Sequence, residues 1–202
     1  MKIELEKSLA LPVSAGAGWK LVENIETMAS CMPGAKITER IDATHYKGAI
    51  TVKLGPATVS FKGELEVLAQ DETARSIHII GKGSDTGSGS GASLDLHAVV
   101  KDTGGDTCEL SGVSVVNVTG KVAAFGSRLM NAATDQLLKI FFANVLIKAQ
   151  EVQAALARAA ADAPPPPVMT AAPVEQKFNA AAFIWALIRD WFAGLRGHGK
   201  PS

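Results

Sequence analysis

Residues 1–11, MKIELEKSLAL, put Ile3, Leu5 and Leu9 on one side of an extended chain and Glu4 and Glu6 on the other, the two-residue period of a half-buried strand. Pro12 and Ser14 stop this pattern, and Ser14 is placed to cap a short helix through Trp19, Leu21 and Val22. A second short helical piece around Met28 to Met32 is expected to end at Pro33-Gly34. From Ala35 to about Thr119, strand follows strand, with turns signalled at Asp42, Gly55-Pro56, Asp71, Asp85 and Thr103-Gly104-Gly105-Asp106. Six strands in this stretch, with the first, predict seven.

The period changes at Lys121. From there to Ala161 apolar residues fall at helical spacing: Val122, Phe125, Leu129, Ala133, Leu137, Ile140 or Phe141, and Val145. One long helix is expected, about 60 Å long at the standard rise, whose alanine-rich last turns outrun the sheet and project or fray. The order predicts an α+β helix-grip fold: a seven-stranded curved antiparallel sheet wrapped around a long C-terminal helix, with two short helices. A hollow between sheet and helix is the natural by-product.

Residues 1–161 then form the domain, and 162–177, DAPPPPVMTAAPVEQK, a linker. Four consecutive prolines impose polyproline geometry, and at about 3.1 Å per residue the segment reaches roughly 50 Å. The chain is otherwise poor in aromatics, yet the stretch that follows, FIWALIRDWF, concentrates four of them.

Composition narrows the function classes. The 202 residues carry a formal net charge of +0, so no basic field argues for nucleic acid, and 47% are hydrophobic, enough for a real core. Cys31 and Cys108 are too far apart for a CxxC motif and read as reduced, small apolar fillers. The N-terminus reads as a strand and not a secretory leader, which implies a body that stays in the cytoplasm.

Candidate chemistry is sparse. GKGSDTGSGSGASLDL, residues 81–96, lies between two strand patterns and matches neither GxGxxG nor GxxxxGK[ST], so a phosphate loop is excluded on context. Two readings remain: a hairpin whose glycines let another backbone or the helix approach, or inward glycines that leave volume for a ligand. His45, His78, His97 and His198 fall at no metal-ligand spacing, and no metal site is expected. No GxSxG, HExxH or close Cys-His signature nominates a catalytic residue.

On a helical wheel, residues 178–196 gather Asn179, Ala182, Ala186, Arg189, Asp190 and Ala193 on one narrow stripe. Phe178 precedes a wide apolar arc of Phe183, Ile184, Trp185, Leu187, Ile188, Trp191, Phe192 and Leu195. Arg189-Asp190 argues against a membrane span. An in-plane amphipathic anchor fits better, with tryptophans at the interface and Arg189 and Arg196 meeting anionic head groups. Docking on another protein, or folding back on its own domain, is the alternative.

The segments GAITVKLGPATVSFKGELEV, GKGSDTGSGSGASLDL and VNVTGKVAAFGSRLMNAATDQLLKIFFANV together resemble the G-subunit family of carbon monoxide dehydrogenase, whose members are polyketide-cyclase and START-type helix-grip domains. The resemblance covers about residues 1–150. It implies an accessory to an aerobic molybdenum hydroxylase of the carbon monoxide dehydrogenase type, without covalent cofactor, that recruits this enzyme to the inner face of the cytoplasmic membrane. It also implies that a quinone is carried in the apolar hollow. Expected lining residues are Leu21, Met28 and Met32 at the short helices, Phe61 on a strand, and Phe125, Leu129, Leu137 and Phe141 on the long helix; each is equally well explained as core. A helix-grip enzyme of cyclase or hydrolase type, or a ligand-free maturation chaperone for the hydroxylase, are the alternative readings. The oligomeric state is not fixed by the sequence.

Overall fold

Alternation of inward apolar and outward polar residues builds seven strands: β1 (Lys2–Leu11), β2 (Ala35–Arg40), β3 (His45–Leu54), β4 (Ala57–Asp71), β5 (Ser76–Asp85), β6 (Ser90–Gly104) and β7 (Thr107–Thr119). Two short helices, α1 (Ala15–Val22) and α2 (Ile25–Cys31), separate β1 from β2, and the long helix α3 (Ser127–Asp162) closes the fold. The computed structural model describes residues 1–55, 57–85 and 87–162; the expected linker beyond 162 and the expected anchor helix 178–196 lie outside the described residues.

The strands form one antiparallel sheet in the order β1-β7-β6-β5-β4-β3-β2. β2 to β7 are a simple meander, in which each strand pairs with the next. β1 then adds to β7, so β1 and β2 are the two outer strands. Chain reversals occur at the expected turns, and the glycine-rich stretch is the β5–β6 hairpin, which pairs Asp85 with Ser90 and Ser76 with Val99.

The first short helix starts at the expected Ser14 cap, whereas the second starts at Ile25, three residues before the expected Met28. The Ser14 hydroxyl oxygen accepts the Ala17 amide of α1, and the Asn24 side chain accepts the Thr27 amide of α2 at 2.8 Å. Both helices are tied to α3. Gln153 binds Ser14, and the Asn144 side-chain amide donates to the Cys31 carbonyl at the end of α2, at 2.9 Å.

The long helix begins later than its apolar spacing suggests. Residues Gly120–Phe125 form a short 3-10 helix, and Gly126, at φ 81°, separates it from α3. The cause lies in the hairpin. Buried Ser90 accepts the Val122 amide at 3.0 Å and the Ser88 hydroxyl at 2.8 Å. Gly120 passes so close to the hairpin that a Cβ on it would stand 2.7 Å from the Gly89 carbonyl oxygen. Only a glycine in the left-handed region allows that approach.

By length and composition Ser127–Ala161 passes for a membrane span. Its Val145 and Ala149 are fully buried in a cluster with Leu11, Trp19, Leu21, Ile25, Tyr46, Ile77 and Val100, so this side of α3 packs in the core, while Ile140, Ile147 and Leu156 are exposed. A second cluster, Leu54, Val59, Val118, Val122 and Met130, lies at the other end of the sheet. The last turns of α3, from Ala154 to Ala161, are exposed and still helical: they project, as expected, and do not fray.

Candidate functional site

The two core clusters leave a band of the sheet's inner face between them. Cross-strand pairing aligns Gly48 with Gly63, Gly63 with Gly83 and Gly83 with Ala92, while Gly81 stands between Leu65 and Leu94. These positions share the inward parity of buried Tyr46, Val59, Val67, Ile77, Ile79 and Ala98. The centre of the sheet thus offers almost no side-chain volume. Leu5, Ile50, Leu94 and Leu96, half-buried on the same face, belong to neither cluster.

Over this band runs the middle of α3, where Thr134, Leu137 and Leu138 are also half-buried and outside both clusters. The helix packs on α1 and α2 and comes nearest the sheet at β1 and β3, so it bridges β4 to β7. The glycines and alanine of the sheet's centre and these two leucines and threonine of the helix are the residues between which the expected hollow belongs. Its inward neighbours Leu65, Phe61, Val116 and Ser114 add a second hydroxyl, while Lys7 on β1, two residues from Leu5, puts an exposed ionisable group on the same parity.

The glycines differ in what a side chain on them would meet. A Cβ on Gly63 would collide with the Lys82 carbonyl oxygen, so Gly63 is required by the approach of the β5 backbone. A Cβ on Gly81 would meet the Glu64 carbonyl oxygen and the Leu94 side chain at 3.7 Å, an ordinary contact distance, so a small side chain could be accommodated there.

The structure places the expected lining residues differently. Leu137 stands over the band, and Phe61 and Leu129 adjoin it from the second cluster, as Phe141 and Met28 do from the first. Met32 is half-buried just beyond α2. Leu21 is fully buried among Trp19, Ile25 and Val145 and is core, because the inner side of α1 faces the packed end of the sheet. Phe125 is corrected: it lies in the 3-10 helix before Gly126, not on α3, and is 41% exposed. Leu65, Gly81, Leu94, Thr134 and Leu138 share the face or helix stretch of the expected hollow and were not brought out by apolar periodicity alone; strand parity combined with the hairpin register would have found the first three.

Polar groups collect elsewhere. An open concavity of about 390 Å³ between α2 and β2 is lined by Glu26, Lys36, Glu39 and Arg40 among others, and one of about 410 Å³ on the outer side of β2 to β4 by Lys47, Lys62 and Glu64. These charged walls suit small polar solutes, unlike the hollow. His45 lies at the start of β3, held by Asp42 at 3.0 Å and Glu66 at 3.6 Å. His78 and His97 are paired on the outer face of the sheet. All three described histidines are therefore away from the hollow.

A family model described as the carbon monoxide dehydrogenase G-subunit (CoxG) matches residues 11–150. Among solved structures, the chain is similar to a conserved protein from Geobacillus kaustophilus (17% identity, 74% of this chain and 96% of that one, TM-score 0.66). It is also similar to the ZhuI aromatase/cyclase from Streptomyces sp. R1128 (11% identity, 74% and 94%, TM-score 0.54) and to a START superfamily protein from Mycobacterium smegmatis (13% identity, 74% and 98%, TM-score 0.53). At these identities the likeness is one of fold. No curated protein sequence is significantly similar to the chain.

Proposed function

Because the chain belongs to the CoxG family of carbon monoxide dehydrogenase, we propose that it is a non-catalytic accessory of an aerobic molybdenum hydroxylase, one that binds a quinone in the hollow and recruits the enzyme to the cytoplasmic membrane. The observation that carries the reading is the small-residue centre of the sheet: Gly81, Gly83 and Ala92 share its inner face, and half-buried Leu94, Leu96, Leu137 and Leu138 stand outside both core clusters, with the hydroxyls of Ser114 and Thr134 also half-buried. An isoprenoid quinone needs this kind of surface, apolar along its length, able to bury much of the ligand, and with a few polar groups for its carbonyl oxygens. The half-exposure of the lining residues supports entry from solvent or from a lipid surface without unfolding.

The enzyme reading, raised by the cyclase-like fold, calls for titratable groups converging on the hollow. The carboxylates and histidines described above stand outside it, and this favours the carrier.

Mass spectrometry of organic extracts of the purified full chain tests the proposal directly. A stoichiometric quinone is expected; an empty hollow that takes up no added quinone in a fluorescence or calorimetric titration would sink the carrier reading. Recruitment is tested by vesicle flotation. Lipid binding should be lost when the chain ends at Ala161, while equal flotation of both forms would remove the anchor assigned to residues 178–196.

A further inference from the structure

On the outer face of the sheet, opposite the hollow, three potential metal ligands converge. Asp95 and His97 are two residues apart on β6 and so share one face, and His78 on β5 pairs directly with His97. The His78 and His97 rings stack with centroids 3.6 Å apart and planes inclined at 23°. Both Nε2 atoms approach the same oxygen, Asp95 Oδ1, at 2.9 Å from His78 and 3.6 Å from His97.

These distances have the dimensions of a coordination shell. A tetrahedral zinc ion with bonds near 2.0–2.1 Å holds its ligand atoms roughly 3.3 Å apart, a value that the two observed separations bracket. One donor atom from each of the three residues fits within 4.8 Å of the other two, so small ring and carboxylate rotations bring all three to one point. The backbone does not need to move, because ten consecutive residue pairs fix the register of β5 against β6. The side chains are graded from inside to outside: His78 is 25% exposed, Asp95 54% and His97 61%, which leaves the solvent side open for water as a fourth ligand.

We infer that His78, Asp95 and His97 form a divalent transition-metal site on the outer face of the sheet. Two imidazoles and one carboxylate are the donor set of zinc, copper and nickel, and not of magnesium or calcium, which take oxygen ligands. The exposed Val113 pairs with His97 on the neighbouring strand β7 and offers no competing ligand. The site joins the two strands of the glycine-rich hairpin. Bound metal clips this hairpin, and through Ser90 the 3-10 helix that leads into α3.

Calorimetric titration of the metal-free full chain with Zn²⁺ is expected to show one ion bound per chain at this site, with a rise in melting temperature. His78→Ala, His97→Ala and Asp95→Ala should each weaken binding by more than about tenfold, since even groups behind the ligands contribute roughly 10–100-fold to metal affinity. His45→Ala, which removes another carboxylate-paired histidine, should leave it unchanged. With Cu²⁺ as probe, electron paramagnetic resonance should report two coordinated nitrogens in the parent chain and one in His78→Ala. Circular dichroism of the metal-free variants checks that these outward substitutions leave the sheet intact. Absence of Zn²⁺ binding, or equal affinity in the three ligand variants and the parent, overturns the assignment.

Discussion

Gln153 Oε1 accepts hydrogen bonds from both the hydroxyl of Ser14, at 2.9 Å, and its backbone amide, at 3.3 Å. The same hydroxyl oxygen accepts the Ala17 amide at the start of α1. One side chain on α3 therefore fixes the residue that caps α1, and the long helix is registered against the short one by polar contacts at the edge of an apolar core. Ser14→Ala removes cap and tie together and should cost about 1–2 kcal/mol in urea unfolding. Gln153→Ala should cost about 1 kcal/mol, and the double variant less than the sum, because both changes break the same bond.

Gly63 and Gly81 separate stability from ligand capacity. Gly63→Ala drives a Cβ against the Lys82 carbonyl and should destabilise the domain by about 1–3 kcal/mol. Gly81→Ala meets only ordinary contacts and should leave the melting temperature within a degree or two of the parent, or raise it. Gly81→Leu should fold as well but retain less of any apolar ligand on extraction. Undiminished ligand in Gly81→Leu would place the binding surface elsewhere.

The turn before β3 should respond to pH at both ends. Asp42 accepts the Thr44 and His45 amides and the His45 ring, which holds its carboxyl well below the usual carboxylate range; the same contact with Asp42 pushes the His45 imidazole up. Asp42's contribution is present above the ordinary carboxylate pKa and is lost as pH falls through its lowered value. His45's contribution is complete below the ordinary imidazole pKa and is lost as pH rises through its raised value. Proton NMR should show His45 titrating above an ordinary histidine, and Asp42→Asn should bring it down. An unchanged midpoint in that variant would deny the pairing.

Both thiols should be inert in the folded protein. Cys31 and Cys108 are each 1% exposed, and burial pushes both thiol pKa values up, Cys108 being further raised by Asp102. A disulfide-exchange reagent at neutral pH should react with them only as fast as the domain opens, and with both at once in urea.

Much of the architecture is legible in the sequence because strand parity and turn residues are local signals. Ser14 and the Thr103-Gly104-Gly105-Asp106 turn do what their side chains dictate wherever they occur. The start of α3 is not legible this way. Val122 and Phe125 keep helical spacing with Leu129, yet a hydrogen bond to Ser90, on a strand far back in the chain, decides the local backbone. The same holds for His78 and His97. Each looks like an isolated strand histidine until the hairpin folds symmetrically about Gly87 and Ser88 and sets them face to face. In the hollow, residue size was visible but its cause was not: only the register distinguishes Gly63, pressed by a neighbouring backbone, from Gly81, which is not.

The outer strands decide how copies of this domain can meet. β2 is only six residues long, is kinked by a bulge between Ile37 and Glu39, and carries Lys36, Glu39 and Arg40. At the opposite border, β1 sets Lys7, exposed, on the parity that otherwise faces the core. Short length, a bulge and an inward charge are the features by which sheets resist lateral growth. A second copy cannot extend this meander strand by strand without burying Lys7 or straightening β2, so fibril-like stacking is disfavoured even at high concentration, and association is left to the faces of the sheet and the side of α3.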